Sequence, residues 1–412
     1  MKHYISIIML ALVVMATSCR KDSTPISDPN FGYGYGYNTY AGQFNTIWNG
    51  INSSYAHWSF DTVDWDARYN RMLPKFRELD SLEYVETAKL NELYSELLFG
   101  LVDHHMVVKV RNIKPAPTDS ITTVVYSPGS VEVKSRSYYH PAYSNADFIR
   151  SLQHLRSQGH TVTYTLDSCQ MESVGDFYVI TAVIDESYYY LHMTNFGITA
   201  AMEMSDNDPG VAVRDRLKSF FEATYKPECK AFILDNRANG GGYVNDLRYV
   251  VSPYVENDML VGRIRSKSGL GRLDYTPWID FVVHQKKEGG CNYGLPVVVL
   301  ADCHSVSMGE MSTASIKMLP RGVFVGERTW GGHGILTGDF HMFYNGTFGD
   351  MNDYHFVYTT TFQNSFVDGG ILEGRGIVPN VEVYNNYDAF VSTGEDAQLS
   401  AALQELARMQ MK

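Results

Sequence analysis

Two short apolar strands each run into a turn that could hold reactive groups. Ala231-Phe232-Ile233-Leu234 leads into Asp235-Asn236-Arg237-Ala238-Asn239-Gly240-Gly241-Gly242. Val297-Val298-Val299-Leu300 leads into Ala301-Asp302-Cys303-His304-Ser305-Val306-Ser307-Met308-Gly309-Glu310. A buried strand that feeds a helix through a tight turn leaves free backbone N–H groups at the helix start, where negative charge is favoured. A serine there becomes a nucleophile only if a base takes its proton and an oxyanion site holds the developing charge. Ser307 is the candidate nucleophile. Met308 offers one amide, and Gly241 or Gly242 offers another, because glycine lets the backbone approach closely. Each turn by itself is weak evidence: glycine-rich turns are common, and a serine at a helix start is often only an N-cap. The adjacent pair His104-His105, where a helical stretch gives way to a strand, is the other feature that could do chemistry.

The elements that must position these groups can be read from periodicity. Phe44, Ile47, Trp48, Ile51 and Tyr55 follow helical spacing, as do Leu90, Leu93, Leu97 and Leu98, and Asp61–Asp66 opens a further helix. Residues 113–175 read as a small α+β insert, with strands over Ile121–Tyr126, Ser130–Ser135 and Thr161–Leu166 and a helix over Ala146–Gln158. From Phe177 onward strands and helices alternate, which argues for an α/β core. Helices are expected over Val211–Thr224, Val244–Val255 and Met308–Met318, and strands over Phe177–Ile184, Tyr188–Met193, Val323–Glu327 and Val381–Tyr384. Residues 340–367 read as exposed hairpins, and a helix carrying Leu399, Ala402, Leu403 and Leu406 ends the chain.

Bulk properties narrow the function. The chain has 412 residues and a net charge of −12, with no basic cluster, so nucleic acid is not an expected partner. Lys2 and His3, the short apolar run Ile7–Ala16 and the Ala16-Thr17-Ser18-Cys19 end resemble a bacterial lipoprotein signal. Residues 1–18 are then the signal peptide, Cys19 carries the lipid, and 19–40 form a flexible tether. This implies an exported lipoprotein of the outer membrane, held there by its lipid alone. Cys169, Cys229, Cys291 and Cys303 show no paired metal spacing, so no metal is expected, and Cys303 reads as a small buried residue.

Several motifs, taken in order, resemble the C-terminal processing peptidase and tricorn-type serine peptidase family, in particular its bacterial lipoprotein members. They are Leu234–Gly242, Ser307-Met308-Gly309-Glu310, Val325–Gly332 and Ile371–Val381, together with Val63-Asp64-Trp65 and Leu101–His105. The resemblance implies an α/β, crotonase-like (ClpP-like) catalytic core over 176–390. It also implies an N-terminal helical domain over 41–112, the insert over 113–175 and a C-terminal helix over 391–412. It implies a serine peptidase that hydrolyses peptide or protein substrates through an acyl-enzyme, without cofactor. Ser–Lys members carry a lysine about 25 residues beyond the serine; here that loop is Trp330-Gly331-Gly332-His333-Gly334, and Lys317 lies in the helix after Ser307. The tricorn-type arrangement instead implies His105 as base and Glu373 as its support. His104 stands where that branch has a relay serine. Gly241 and Met308 amides, with Gly242 beside them, would form the oxyanion hole. Asp103 is expected to cap the histidine loop and Glu310 to favour the helix N-terminus. The residues leave two rivals open: a peptide- or ligand-binding lipoprotein on the same scaffold, and a hydrolase acting on esters.

Overall fold

The computed structural model describes residues 38–172, 174–286, 291–334, 346, 348–349 and 355–411. The expected signal peptide, Cys19 and most of the tether lie outside the described residues. Three helices come first: α1 (Tyr40–Ser54), α2 (Trp65–Asp80) and α3 (Thr87–Leu98). Thr39 caps α1 and Asp64 caps α2 through side-chain oxygens that accept backbone N–H groups. Phe44, Ile47, Ile51, Phe76, Leu90 and Leu97 share one buried cluster. Among the described residues no helix is long and apolar enough to cross a membrane.

Strands β1 (Val107–Arg111) and β2 (Thr123–Tyr126) pair antiparallel. The next segment corrects an expectation. Ser130–Ser135 is not a strand but part of helix α4 (Pro128–Lys134), capped by Ser127. Val131 and Val133 alternate with polar residues, which reads as a strand. The local start signal, Ser127 as N-cap with Pro128 at the first helical position, outweighs that alternation. Helix α5 (Asn145–Ser157) follows, closed by a Ser144/Asp147 capping box.

A seven-stranded sheet forms the centre of the molecule, ordered β14-β10-β9-β6-β5-β4-β3. Its strands are β3 (Val162–Met171), β4 (Gly175–Ile184), β5 (Tyr188–Met193), β6 (Ala231–Asp235), β9 (Val297–Ala301), β10 (Gly322–Gly326) and β14 (Val381–Glu382). The first three run antiparallel to one another, and β5-β6-β9-β10-β14 is parallel. Every residue of β6 and β9 is buried, as strands covered on both faces require. Alternation divides their side chains between the faces. Phe232, Leu234, Val297 and Val299 face a core shared with helix α6 (Val211–Thr224) and helix α7 (Met308–Lys317). Ala231, Ile233, Val298 and Leu300 face a core built with α5, α8 (Tyr387–Thr393) and α9 (Ala397–Gln410).

Two further expectations change. The stretch expected as a helix over Val244–Val255 is broken into two 3₁₀ turns and one α turn, with Pro253 in the last. Of residues 340–367, the described part is not a set of exposed hairpins. Strand β12 (His355–Tyr358) pairs with β1 as well as with β11 (Phe348–Gly349), and β13 (Phe362–Phe366) pairs with β7 (Met259–Ser266). The intervening Thr359, Thr360 and Thr361 are buried. Strand β8 (Ile279–Val283) completes the β13-β7-β8 sheet.

A buried ion network fastens the end of β6 to α9. The Arg237 guanidinium is fully buried and binds the Asp235 carboxylate at 2.6–3.1 Å and the Asp396 carboxylate at 2.9–3.0 Å. Asp396 is also the N-cap of α9. Removing the guanidinium leaves two carboxylates buried without a counter-charge. Arg237→Met is therefore expected to cost about 3–5 kcal/mol in urea unfolding.

Candidate functional site

The Ser307 backbone has φ +58° and ψ −118°. A non-glycine residue in that region costs on the order of 1–3 kcal/mol and persists only where its surroundings enforce it. Here they do. The Ser307 N–H donates to Gly332 O (2.8 Å), the Val306 N–H to Asn239 O (3.1 Å), and the Trp330 N–H to Ser305 O (3.0 Å). Ser307 thus sits at the sharp entry to α7, between the glycine turn and the 329–334 loop. The Met308 N–H, at the first helical position, lies beyond the reach of any intrahelical carbonyl.

The glycine turn presses against this serine. A Cβ on Gly241 (φ +93°) would lie 2.5 Å from Ser307 Cβ, 3.0 Å from its Oγ and 3.1 Å from Met308 N. Gly242 (φ +137°) packs on the Phe196 backbone just as closely. The Gly241 N–H donates to Asn239 Oδ1 at 2.8 Å, so that amide is occupied in this arrangement. The polar residues of the turn hold its shape. Asn236 Nδ2 donates to Gly309 O, Ser312 Oγ and Thr313 Oγ1 on α7, and Asn239 Nδ2 donates to Met193 O on β5.

His105 reaches the same place from the other side. A Cβ on Gly332 would meet His105 Nδ1 at 3.1 Å and Val306 Cγ2 at 2.9 Å. The glycine whose carbonyl holds Ser307 is therefore also the one the imidazole rests on. Both ring nitrogens of His105 are buried and neither makes a hydrogen bond, to Ser307 Oγ or to any other described atom. Burial, with His333 and His104 nearby, pushes its pKa down to about 3, so the ring is neutral across the physiological range. His104 is committed elsewhere: its Nδ1 pairs with Trp330 O (2.9 Å), while Trp330 Nε1 donates to His104 O (3.0 Å).

Glu373 makes no hydrogen bond to the His105 ring. Its Oε1 accepts from the His104 N–H (2.9 Å), and its Oε2 accepts from the N–H groups of His333 (2.8 Å) and Gly334 (2.7 Å). It ties the histidine loop to the 333–334 loop through backbone. Asp103 acts in the same way, with Oδ1 accepting from the His105 N–H (2.9 Å) and Oδ2 from the Thr360 N–H (2.8 Å). The donor atoms of His57, Asp103 and Glu373 lie within 4.8 Å of one another. Burial raises the pKa of both carboxyls, and the Asp103 charge raises that of Glu373 further.

Three positioning residues carry no motif or were read otherwise. Glu310 is fully buried, and its Oε1 accepts from Thr329 Oγ1 (2.5 Å) and the Gly331 N–H (2.8 Å), so it braces the loop above α7. Burial lifts its pKa to about 7. Arg136, just beyond the segment expected as a strand, donates to the carbonyls of Arg328, Thr329 and Trp330 at 2.8–3.1 Å. Ser305 donates to Asn236 O and accepts from the Asp302 N–H, which commits its hydroxyl to the fold. Lys317 stands at the far end of α7, roughly 15 Å along the axis from Ser307 at 1.5 Å per residue. Its Nζ donates to Val378 O (2.6 Å).

His57, also fully buried, makes a titration that stability can report. Desolvation lowers its pKa to about 3, against 6.5 when unfolded. Its neutral form contributes stability that is complete above pH 6.5 and is lost as the pH falls towards 3. In urea titrations between pH 6 and 4, His57→Phe is expected to flatten the dependence of stability on pH by about 1.4 kcal/mol per unit relative to the wild type.

Comparison with known proteins bears on the fold and the family resemblance. Residues 187–383 match the sequence profile of Peptidase family S41, a span that holds the parallel strands, both turns and Glu373. The candidate tricorn protease homolog 2 of Streptomyces coelicolor is 37% identical over 154 residues, which are 37% of this chain. The match spans only 11% of that much longer protein. The crystal structure of a candidate peptidase from Parabacteroides merdae superposes with a TM-score of 0.56 at 20% identity, covering 88% of this chain and 95% of that one. Mature CPAF complexed with lactacystin gives 0.56 at 12% identity, covering 90% and 99%. These two share the fold of this chain. The strand order, the two turns and the matched span make residues 187–383 similar to Peptidase family S41.

Proposed function

We propose that this protein is a serine peptidase that cleaves peptide bonds through an acyl-enzyme on a crotonase-like core, with Ser307 as nucleophile and His105 as general base. The observation that carries the reading is the strained Ser307 backbone, enclosed between Gly241 and the Gly332–His105 contact. Such strain clusters at sites where geometry is part of the chemistry.

The neutral His105 ring takes the proton of Ser307 Oγ as the oxygen attacks the scissile carbonyl. The tetrahedral intermediate collapses, the protonated imidazole gives that proton to the leaving amine, and water hydrolyses the ester by the same route. The Met308 N–H holds the oxyanion together with the Gly241–Gly242 turn. If Gly241 is the donor, its amide exchanges Asn239 Oδ1 for the oxyanion. The base–nucleophile hydrogen bond, not made here, forms when substrate closes the site, as catalytic hydrogen bonds often do. Glu373 supports the base by holding the His104–His105 backbone, and His104 secures the loop on Trp330. In this reading the chain is exported and lipidated at Cys19, acts at the outer membrane, and needs no cofactor.

The unpaired His105 ring also favours a second reading, a peptide-binding protein that has kept the scaffold. A serine-directed fluorophosphonate separates the two. The expected outcome is an adduct on Ser307 that is lost in His105→Ala and kept in His104→Ala. Folded protein that takes no adduct would favour the binding reading.

Two further outcomes are expected with a peptide substrate. Because His105 is held neutral down to about pH 3, the acid limb of kcat/KM should fall well below pH 6.5, the value of an ordinary histidine. Gly241→Ala, whose methyl group would displace Ser307 and whose backbone would be strained at φ +93°, should lower kcat/KM by about 10²-fold or more and also lower Tm.

A further inference from the structure

A second cluster of chemically capable side chains stands beside the Ser307 turn and is not used by the mechanism. It comprises His140, Cys303 and His304, whose ligating atoms all lie within 4.8 Å of one another. His140 and Cys303 are buried and His304 half-buried. His140 comes from the loop before α5, more than 160 residues from the other two, so the cluster exists only in the folded chain.

Three features distinguish it from a chance gathering of histidines. First, each imidazole is aimed by its other nitrogen. His140 Nδ1 pairs with Pro141 O at 2.8 Å, and His304 Nε2 pairs with His140 O at 2.7 Å. With those nitrogens donating, His140 Nε2 and His304 Nδ1 are the ring nitrogens left to bind an ion once they are deprotonated. Metal-binding histidines are fixed in this way, by an N–H donated to a backbone carbonyl. Second, the separations suit a small cation. Cys303 Sγ is 3.9 Å from His140 Nε2, and Glu327 Oε2 is 3.3 Å from the same nitrogen. Third, the surroundings are anionic and buried. Glu327 and Asp302 are essentially inaccessible, and Asp302 Oδ2 makes no hydrogen bond.

We propose that Cys303 Sγ, His140 Nε2 and His304 Nδ1 bind a zinc ion, with the Glu327 carboxylate beside it. A thiolate with two imidazoles is a donor set that zinc favours. The thiolate and Glu327 together neutralise its two charges. Binding releases the thiol proton and any proton on His140 Nε2. The ion would fix the Asp302–Ser305 turn, which ends two residues before Ser307, to the loop that precedes α5. The proposal does not depend on the peptidase reading.

Cobalt titration of the chelator-stripped chain tests it. One equivalent of Co²⁺ should produce a thiolate-to-cobalt charge-transfer band that Zn²⁺ abolishes by displacement. Cys303→Ser should lose the band, and Cys291→Ser, at an exposed cysteine, should keep it. His304→Gln should weaken zinc binding about tenfold or more, and zinc should raise Tm in the wild type but not in Cys303→Ser. If Cys303→Ser does not fold, X-ray absorption on the zinc-loaded wild type decides, with one sulfur at about 2.3 Å and nitrogen donors at about 2.0 Å expected. A folded chain that gives no band, a band that survives Cys303→Ser or is lost in Cys291→Ser, or a zinc shell without sulfur would overturn the site. His140 and Glu327 would then form a buried ion pair and nothing more.

Discussion

The site depends on one enforced backbone conformation, that of Ser307. An L-residue at φ +58° relaxes unless it is held, and three backbone hydrogen bonds hold the segment from Ser305 to Ser307. Two of their partners lie in different loops, the glycine turn after β6 and the 329–334 loop after β10. Both loops leave the same end of the parallel sheet, next to β9, so the sheet order itself brings them to the serine. Polar and glycine residues in those loops are spent on this task. Asn236 and Asn239 tie the glycine turn to α7 and β5, and Gly241 and Gly332 leave the space that the serine and His105 occupy.

A second physical theme is the use of buried carboxylates to hold irregular backbone. Asp103, Glu310 and Glu373 accept loop N–H groups that no sheet or helix satisfies. Buried amides need such partners, and a carboxylate can serve several at once. Desolvation raises the pKa of all three carboxyls, and packing Asp103 against Glu373 adds repulsion. Asp103 and Glu373 hold the backbone of the histidine loop, and Glu310 holds the 329–331 loop; none is hydrogen-bonded to the His105 ring. A glutamate that supports a histidine need not be hydrogen-bonded to the imidazole. It can act through the main chain, where a small change in loop position moves the ring as a unit.

Much of this was legible in the chain. The two apolar runs before the turns announced strands covered on both faces, and both are fully buried in the sheet. The helix over Val211–Thr224 and the start of α7 after Ser307 follow from local periodicity and turn chemistry. The errors also have local causes. Alternating valines concealed the Ser127-Pro128 helix start, and Pro253 broke a stretch that otherwise reads as one helix. Strands β12 and β13 resembled a local hairpin pair because pairing with β1 and β7, roughly 100–250 residues away, leaves no mark in a short window.

The sequence by itself determined the strand–turn–helix units, the serine at the second turn with the amides beside it, and the adjacent pair of histidines. These depend on interactions within a few residues, which composition and spacing record. Only the tertiary structure decided which histidine packs against Gly332 and which is bound to Trp330. It also decided that Glu373 grips backbone, that Arg136 clamps the loop above the site, and that His140 meets Cys303. Those outcomes depend on sheet order and on which buried polar groups satisfy one another across long separations. That competition is settled by packing and desolvation, neither of which acts until the chain has folded.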